Sequence, residues 1–365
     1  MSLYIQDPDD SDSVYFVEAL LEASQGAQCG GGAFAFATAA GAKLLLEDEA
    51  FRRFSLAHAF QLIVGVDAVT NTDALKAITA AASSPSRIKV QVFLHEHKDA
   101  LFHPKLCWFR TSHGGQLIVG SSNLTIGGLR ANWESFSVTP LSKTDIEKVE
   151  ADWTRWLELH SAELFSADDP RIIARASRNT GLVQLLKSAE YVGEGEASGG
   201  SVGPVSERAT GSIRDTNTVL IAEIPRSGDR WNQANFDVHS YEQFFGAKVG
   251  TQRRILLQHV QDDGTLGDIE NRPSVAVRSQ NYRFELLAAA GRPYPPKQRP
   301  IGVFVRVANR TFRYRLLMPG DPQYSPVRVY LGKKWSGPIH RMRRVCVPVS
   351  ELREAWPAAA LWRSS

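Results

Sequence analysis

Cysteine is scarce in this 365-residue chain: only Cys29, Cys107 and Cys346 occur, far apart and odd in number. That excludes a disulfide framework and paired zinc-ligand spacing, and leaves reduced, buried thiols as the expectation. Long apolar runs are missing too. None approaches the roughly 20 residues needed to cross a bilayer, so no membrane span is expected. The first ten residues are acidic and lack the basic region and apolar stretch of a secretory leader, from which a cytoplasmic location is expected. Also absent is a Gly-x-x-x-x-Gly-Lys-Ser/Thr phosphate loop, which excludes ATP hydrolysis by this chain alone. No internal repeat is present.

What the chain does have is an ordinary globular composition, 43% hydrophobic and 22% charged. Its length exceeds the roughly 250 to 300 residues at which a single core stops growing, so two domains are expected. Charge separates them: residues 1–210 carry 18 Lys and Arg against 26 Asp and Glu, whereas residues 211–365 carry 24 against 13. A cationic excess confined to one half is the footprint of a polyanion binder.

In the first half, apolar runs at 32–37, 61–66, 88–94, 105–109 and 116–120 read as strands. Helical spacing over Asp73–Ala82 and Thr144–Leu159 completes an α/β pattern. Ile146, Val149, Trp153, Trp156 and Leu157 of the second helix read as core. A Gly- and Ser-rich stretch over 191–212 cannot bury enough surface to fold alone, and reads as a flexible linker between a domain of 1–190 and one of 213–365. Beyond it, short β-rich runs at 218–224, 254–258, 274–278, 282–286, 301–307, 311–317 and 328–331 predict a mostly β domain, a small barrel.

The chemistry concentrates in His103-Pro-Lys105, Gly120-Ser121-Ser122-Asn123 and Asn132-Trp-Glu134, each beside a predicted strand. Alternate residues of an extended segment share a face, so His103 and Lys105 are expected to point into one pocket. A lysine there holds the non-bridging oxygens of a phosphate while the imidazole attacks phosphorus. Hydroxyl, amide and main-chain donors of Ser121 and Asn123 would complete the cradle, and Glu134 would orient the imidazole of His103. His95 and His97 also share a strand face, and a metal reading is open for them, but no third ligand follows.

These three elements, in this order and at this separation, resemble the phospholipase D superfamily. The resemblance implies an α/β domain with a mixed sheet flanked by helices, and an active site with two histidines, one attacking and one protonating the leaving oxygen. One such motif is present here, so the resemblance implies a symmetric homodimer with a composite site on its axis and no metal cofactor. No carboxylate cluster accompanies the motif, whereas two-metal nucleases need several acidic ligands. Arg110 stands where many relatives have an aspartate, which points away from the lipid-processing branch and towards the nucleases.

In the second half, Arg226, Arg230, Trp231, Asn232, Gln233 and Asn235 fall in a turn-rich loop, and Arg278, Gln280, Asn281 and Arg283 form a second cluster. Arg on guanine and Asn or Gln on adenine are the bidentate contacts that read the major groove of double-stranded DNA. Lys333, Lys334, Arg341, Arg343 and Arg344 are expected to meet the backbone. The stretch Ile224-Pro-Arg-Ser-Gly-Asp-Arg230, with the domain order, resembles the B3-like pseudobarrel of restriction nucleases, including CglI-type nuclease subunits that work with a separate helicase-like ATPase. The expected function is a sequence-specific DNA endonuclease. Its rivals are a lipid phosphodiesterase or phosphatidyltransferase, and a DNA-binding regulator with a silent catalytic domain.

Overall fold

A computed structural model describes residues 1–97, 100–179, 213–226, 231–248, 251, 253–338 except 277–281, and 341–364. The chain divides into two compact units, one of residues 1–8 with 12–209 and one of 9–11 with 210–365. The expected linker over 191–212 lies outside the described residues.

Among the described residues the first unit is built on eight strands: β1 (Ser2–Gln6), β2 (Cys29–Phe34), β3 (Ala59–Gly65), β4 (Ile88–Phe93), β5 (Lys105–Thr111), β6 (Gly114–Gly120), β7 (Glu134–Leu141) and β8 (Leu164–Phe165). They form one sheet in the order β1-β7-β6-β5-β2-β3-β4-β8. β2, β3 and β4 run parallel, and the remaining pairings are antiparallel. The sheet is therefore mixed. Helices α1 (Phe16–Ser24), α2 (Ala39–Leu46), α3 (Glu49–Ala57), α4 (Thr72–Ala82), α5 (Lys143–Leu159) and α6 (170–179) flank it. Their starts are set locally: Thr38, Asp48, Asn71 and Ser142 each accept a hydrogen bond from a main-chain N–H in the first turn of α2, α3, α4 and α5.

α5 departs from expectation. Its apolar residues have helical spacing, yet Ile146 alone of them is fully buried. Val149, Trp153 and Trp156 instead line a cavity between the helix and the sheet.

Among the described residues the second unit holds two sheets. A six-stranded one runs β12 (Leu266–Pro273), β11 (Arg254–Val260), β16 (Thr311–Leu317), β15 (Ile301–Ala308), β9 (Thr218–Glu223), β17 (Arg344–Pro348). A three-stranded one runs β10 (Gln233–Phe236), β14 (Tyr282–Glu285), β13 (Val275–Ala276). An aromatic core that includes Phe236, Phe244, Phe245, Phe284, Phe304 and Tyr314 joins them. Alternation places Val219, Ile221, Val303 and Val305 on the opposite face, against α7 (Tyr324–Lys334) and α8 (Val349–Ala355).

The unit is mostly β, and among the described residues its sheets do not close into a barrel. The strand expected at 328–331 is the middle of α7, because Tyr324, Val327 and Leu331 are the buried positions and their spacing is helical. Part of the loop expected over 224–235 is β10. Cys107 is buried as expected, but Cys29 is half-buried and Cys346 is exposed. Among the described residues no helix is long and apolar enough to cross a membrane.

Candidate active site

Residues 35–38, which follow β2, tie the two halves of the motif together. Ala35 donates its N–H to the Pro104 carbonyl at 2.9 Å, and Phe36 donates to Asn123 Oδ1 at 3.2 Å. Leu124 donates back to the Phe36 carbonyl, and Thr38 to the Leu124 carbonyl, both at 3.0 Å. The His103–Lys105 corner and the Ser121–Asn123 turn are thus both tied to residues 35–38. Two glycines permit the approach. A Cβ on Gly41 of α2 would lie 2.5 Å from Thr125 Cα, and one on Gly128 would lie 2.5 Å from the Asn123 main chain. Neither position has room for a larger residue without moving the turn.

His103 lies in the loop before β5 and is exposed, while Lys105, the first residue of the strand, is 7% exposed. Lys105 Nζ donates to the His103 carbonyl at 3.1 Å, and the imidazole packs edge-on against Phe36 with ring centres 5.9 Å apart. Partial burial, and then the Lys105 cation, hold His103 below the ordinary histidine value. Burial also lowers Lys105, with the Glu134 charge acting in the other direction.

Asn123 spends its Oδ1 on the Phe36 N–H, so its Nδ2 donor is what it offers a ligand. Ser121 donates its hydroxyl to Glu134 Oε2, and Asn132 donates to Oε1 at 3.3 Å. Among the described residues, no hydrogen bond or ion pair joins Glu134 to His103 of the same chain. Its carboxylate bears on Lys105 instead. The β6–β7 register explains why: Gly120 faces Phe136, which puts Ser121 opposite Ser135 and beside Glu134.

Arg110 is at the far end of β5 from Lys105, where it pairs with Glu150 and with Glu147 of α5, the latter at 3.6 Å. His95 sits 3.6 Å from Asp67, and its Nδ1 accepts the His97 N–H at 3.2 Å. Among the described residues, no three His, Cys, Asp or Glu side chains converge as ligands for a metal.

Sequence reasoning missed an apolar strip beside the site. Leu3 and Ile5 on edge strand β1 are each 69% exposed, Val119 is 43% exposed and Trp133 is 65% exposed. The register Leu3–Ser137–Val119 and Ile5–Ser135 puts Leu3, Ile5 and Val119 on one face of the sheet, next to Ser121. The strict alternation of Ser2–Gln6 was the available signal.

The residues expected to read DNA separate into distinct environments. Arg226 is exposed. Trp231 is 5% exposed, donates Nε1 to the Arg292 carbonyl at 2.6 Å and belongs to the aromatic core. Asn232 bonds Glu285 at 3.0 Å, whereas Gln233, Asn235 and Arg283 lie on paired strands β10 and β14. Arg230, Arg278, Gln280 and Asn281 fall outside the described residues. Of the cations expected at the backbone, Lys334 pairs with Glu351, Arg343 with Glu223 and Arg344 with Asp237.

No protein-family model matches the chain, and no curated protein matches it in sequence. Solved structures similar to part of it include NucT from Helicobacter pylori, at 13% identity over 45% of this chain and 97% of that one, with a TM-score of 0.34. A phospholipase D family member, Nuc from Salmonella typhimurium, is similar at 11% identity over 45% of this chain and 95% of that one, with a TM-score of 0.29. The N-terminal domain of Helicobacter pylori LlaJI.R1 is similar at 13% identity over 36% of this chain and 97% of that one, with a TM-score of 0.25.

Proposed function

We propose that this protein is a phosphodiesterase of the phospholipase D type that cuts DNA, acting as a sequence-specific restriction endonuclease or as the nuclease subunit of a restriction system. The observation that carries this reading is the clustering of His103 and Asn123 at Phe36, with Lys105 bonded to the His103 carbonyl and the Glu134 charge bearing on Lys105. A partly desolvated, neutral imidazole beside a fixed ammonium suits nucleophilic attack on a phosphate diester.

In the proposed reaction an imidazole nitrogen of His103 forms a bond to phosphorus as one P–O bond breaks. The departing oxygen takes a proton from the His103 of a second subunit. Water then attacks phosphorus, gives its proton to that second imidazole and releases the first. Lys105 and the Nδ2 of Asn123 hold the non-bridging oxygens. The scheme calls for no metal ion.

The second histidine requires a homodimer, and the strip of Leu3, Ile5, Val119 and Trp133 beside Ser121 is the face we assign to it. Exposed apolar side chains grouped on one face mark association surfaces. In such a dimer Glu134, held by Ser121 and Asn132, stands free of its own chain's imidazole and is available to the partner's. The cationic second unit, with exposed Arg226, is proposed to bind double-stranded DNA as a B3-like domain. ATP would enter only through a separate helicase-like subunit.

The test is to quench a reaction with DNA in alkaline detergent, where a phosphohistidine survives, and to look for a protein–DNA adduct. The proposal expects an adduct on His103 that is absent from His103→Ala. Cleavage with no adduct under single-turnover conditions would overturn it.

A further inference from the structure

A cavity of about 660 Å³ opens between α5 and the sheet and has His103 in its wall. Aromatic rings make up much of the rest of its wall. Phe93 and Phe102 stack with centres 4.4 Å apart, Trp156 stacks on Phe93 at 5.6 Å, and Trp153 lies 6.2 Å from Trp156. Trp153 is pinned by a 3.1 Å bond from Nε1 to Gln61, so its plane is set before any ligand arrives. Phe93 and Phe102 are buried, but Trp153 and Trp156 are only partly so; large rings left partly exposed forfeit some of the stabilisation that full burial would give, and a protein keeps them so where something else covers them.

The polar groups on the cavity wall narrow the occupant. His95, His97, His160, Asp152 and Glu163 supply donors and acceptors, while no lysine or arginine is among the described residues that line it. A phosphate is therefore disfavoured inside and belongs at Lys105. A flat, uncharged heterocycle with hydrogen-bonding edges fits both the ring planes and the rim. Because His103 is shared by the cavity and the phosphate site, the group one sugar away from the attacked phosphorus is within reach of the cavity.

We infer that this cavity seats an unstacked nucleobase of the strand being cut. The inference rests on the nuclease reading above and sharpens it: the strand must be single or locally opened at the scissile phosphate, since a base inside a stacked duplex cannot enter. The sequence-reading unit can still grip a duplex nearby.

The experiment uses the full chain carrying His103→Ala, which leaves DNA uncut, and single-stranded oligonucleotides with 2-aminopurine at successive positions. Stacking on Trp156 is expected to quench the probe at one position next to the scissile phosphate. Quenching is expected to vanish in Trp156→Ala, and also in Leu101→Trp, which narrows the cavity from an exposed rim position without disturbing the core. With the otherwise wild-type chain, an abasic residue at the quenched position should slow cutting of the adjacent phosphate about tenfold or more. Equal quenching at every position, or quenching that survives Leu101→Trp, would overturn the inference. So would tight DNA binding without quenching, as when a second copy of the chain fills the cavity. Absence of cleavage by the wild-type chain, with a helicase-like partner and ATP as well as alone, would instead count against the nuclease reading, which the quenching measurement does not use.

Discussion

Lys105 donates its ammonium to the main-chain carbonyl of His103 across 3.1 Å. One hydrogen bond therefore fixes both the cation that would hold a phosphate and the loop that carries the proposed nucleophile. The arrangement has a measurable electrostatic consequence. Partial burial and the Lys105 charge both disfavour the imidazolium, so His103 loses its proton below the ordinary histidine value of 6.5. A depressed pKa keeps the neutral, nucleophilic form at lower pH, and the acid limb of kcat/KM should fall below pH 6.5. In Lys105→Met the cationic contribution is gone, and the NMR titration midpoint of His103 should rise. A midpoint that stays put or falls would show that Lys105 does not act on the ring.

Gly41 lets α2 pack against the turn that presents Asn123. Gly41→Ala places a methyl 2.5 Å from Thr125 Cα, an overpacking expected to cost about 1–3 kcal/mol. Thermal denaturation should show the loss, and cleavage should fall with it as Phe36 loses the Asn123 carbonyl. An unchanged melting temperature would mean that the turn yields freely.

Leu3 and Ile5 are the most accessible part of the proposed dimer face. Replacing both by Asp should leave the fold intact, because each is 69% exposed, but convert the dimer to monomer in sedimentation velocity and remove cleavage. Retention of full activity by a monomer would contradict a composite site.

In the second unit, burial separates structure from recognition. Trp231→Ala should destabilise by about 3–5 kcal/mol, because the indole is in the core and its Nε1 is satisfied by Arg292. Arg226→Ala should leave stability unchanged but weaken DNA binding, with a shallower salt dependence by about one ion if the contact is to phosphate. Equilibrium unfolding and binding at several salt concentrations check the pair.

The strands that carry the motif were legible because Lys105–Thr111 and Gly114–Gly120 are compact β-branched and aromatic runs ended by turn residues. Edge strand Ser2–Gln6 shows alternation, but nothing in five residues tells that its apolar face, Leu3 and Ile5, turns to solvent rather than to core. Residues 328–331 misled because β-branched and aromatic side chains mimic a strand, whereas burial of Val327 and Leu331 four apart belongs to a helix. Alternation predicted His103 and Lys105 on one strand face, whereas His103 lies in the loop before β5 and is exposed while Lys105, the first residue of the strand, is buried. The carboxylate of Glu134 turned to Ser121 and Asn132 instead of His103 because of a cross-strand register that no local pattern encodes. The cavity was equally hidden: spacing marks the apolar face of α5 but not how far the helix stands from the sheet.

The central claim is that His103 performs phosphodiester cleavage by itself becoming phosphorylated, without a metal. Plasmid DNA should be incubated with the purified protein in excess EDTA, with and without His103→Ala, and with a helicase-like partner and ATP outside the chelated arm if the chain alone is silent. The account predicts cuts that survive chelation, occur at fixed sequences and drop at least about a thousandfold in His103→Ala. Cleavage by the isolated chain that requires added metal, or that persists in His103→Ala, would contradict it.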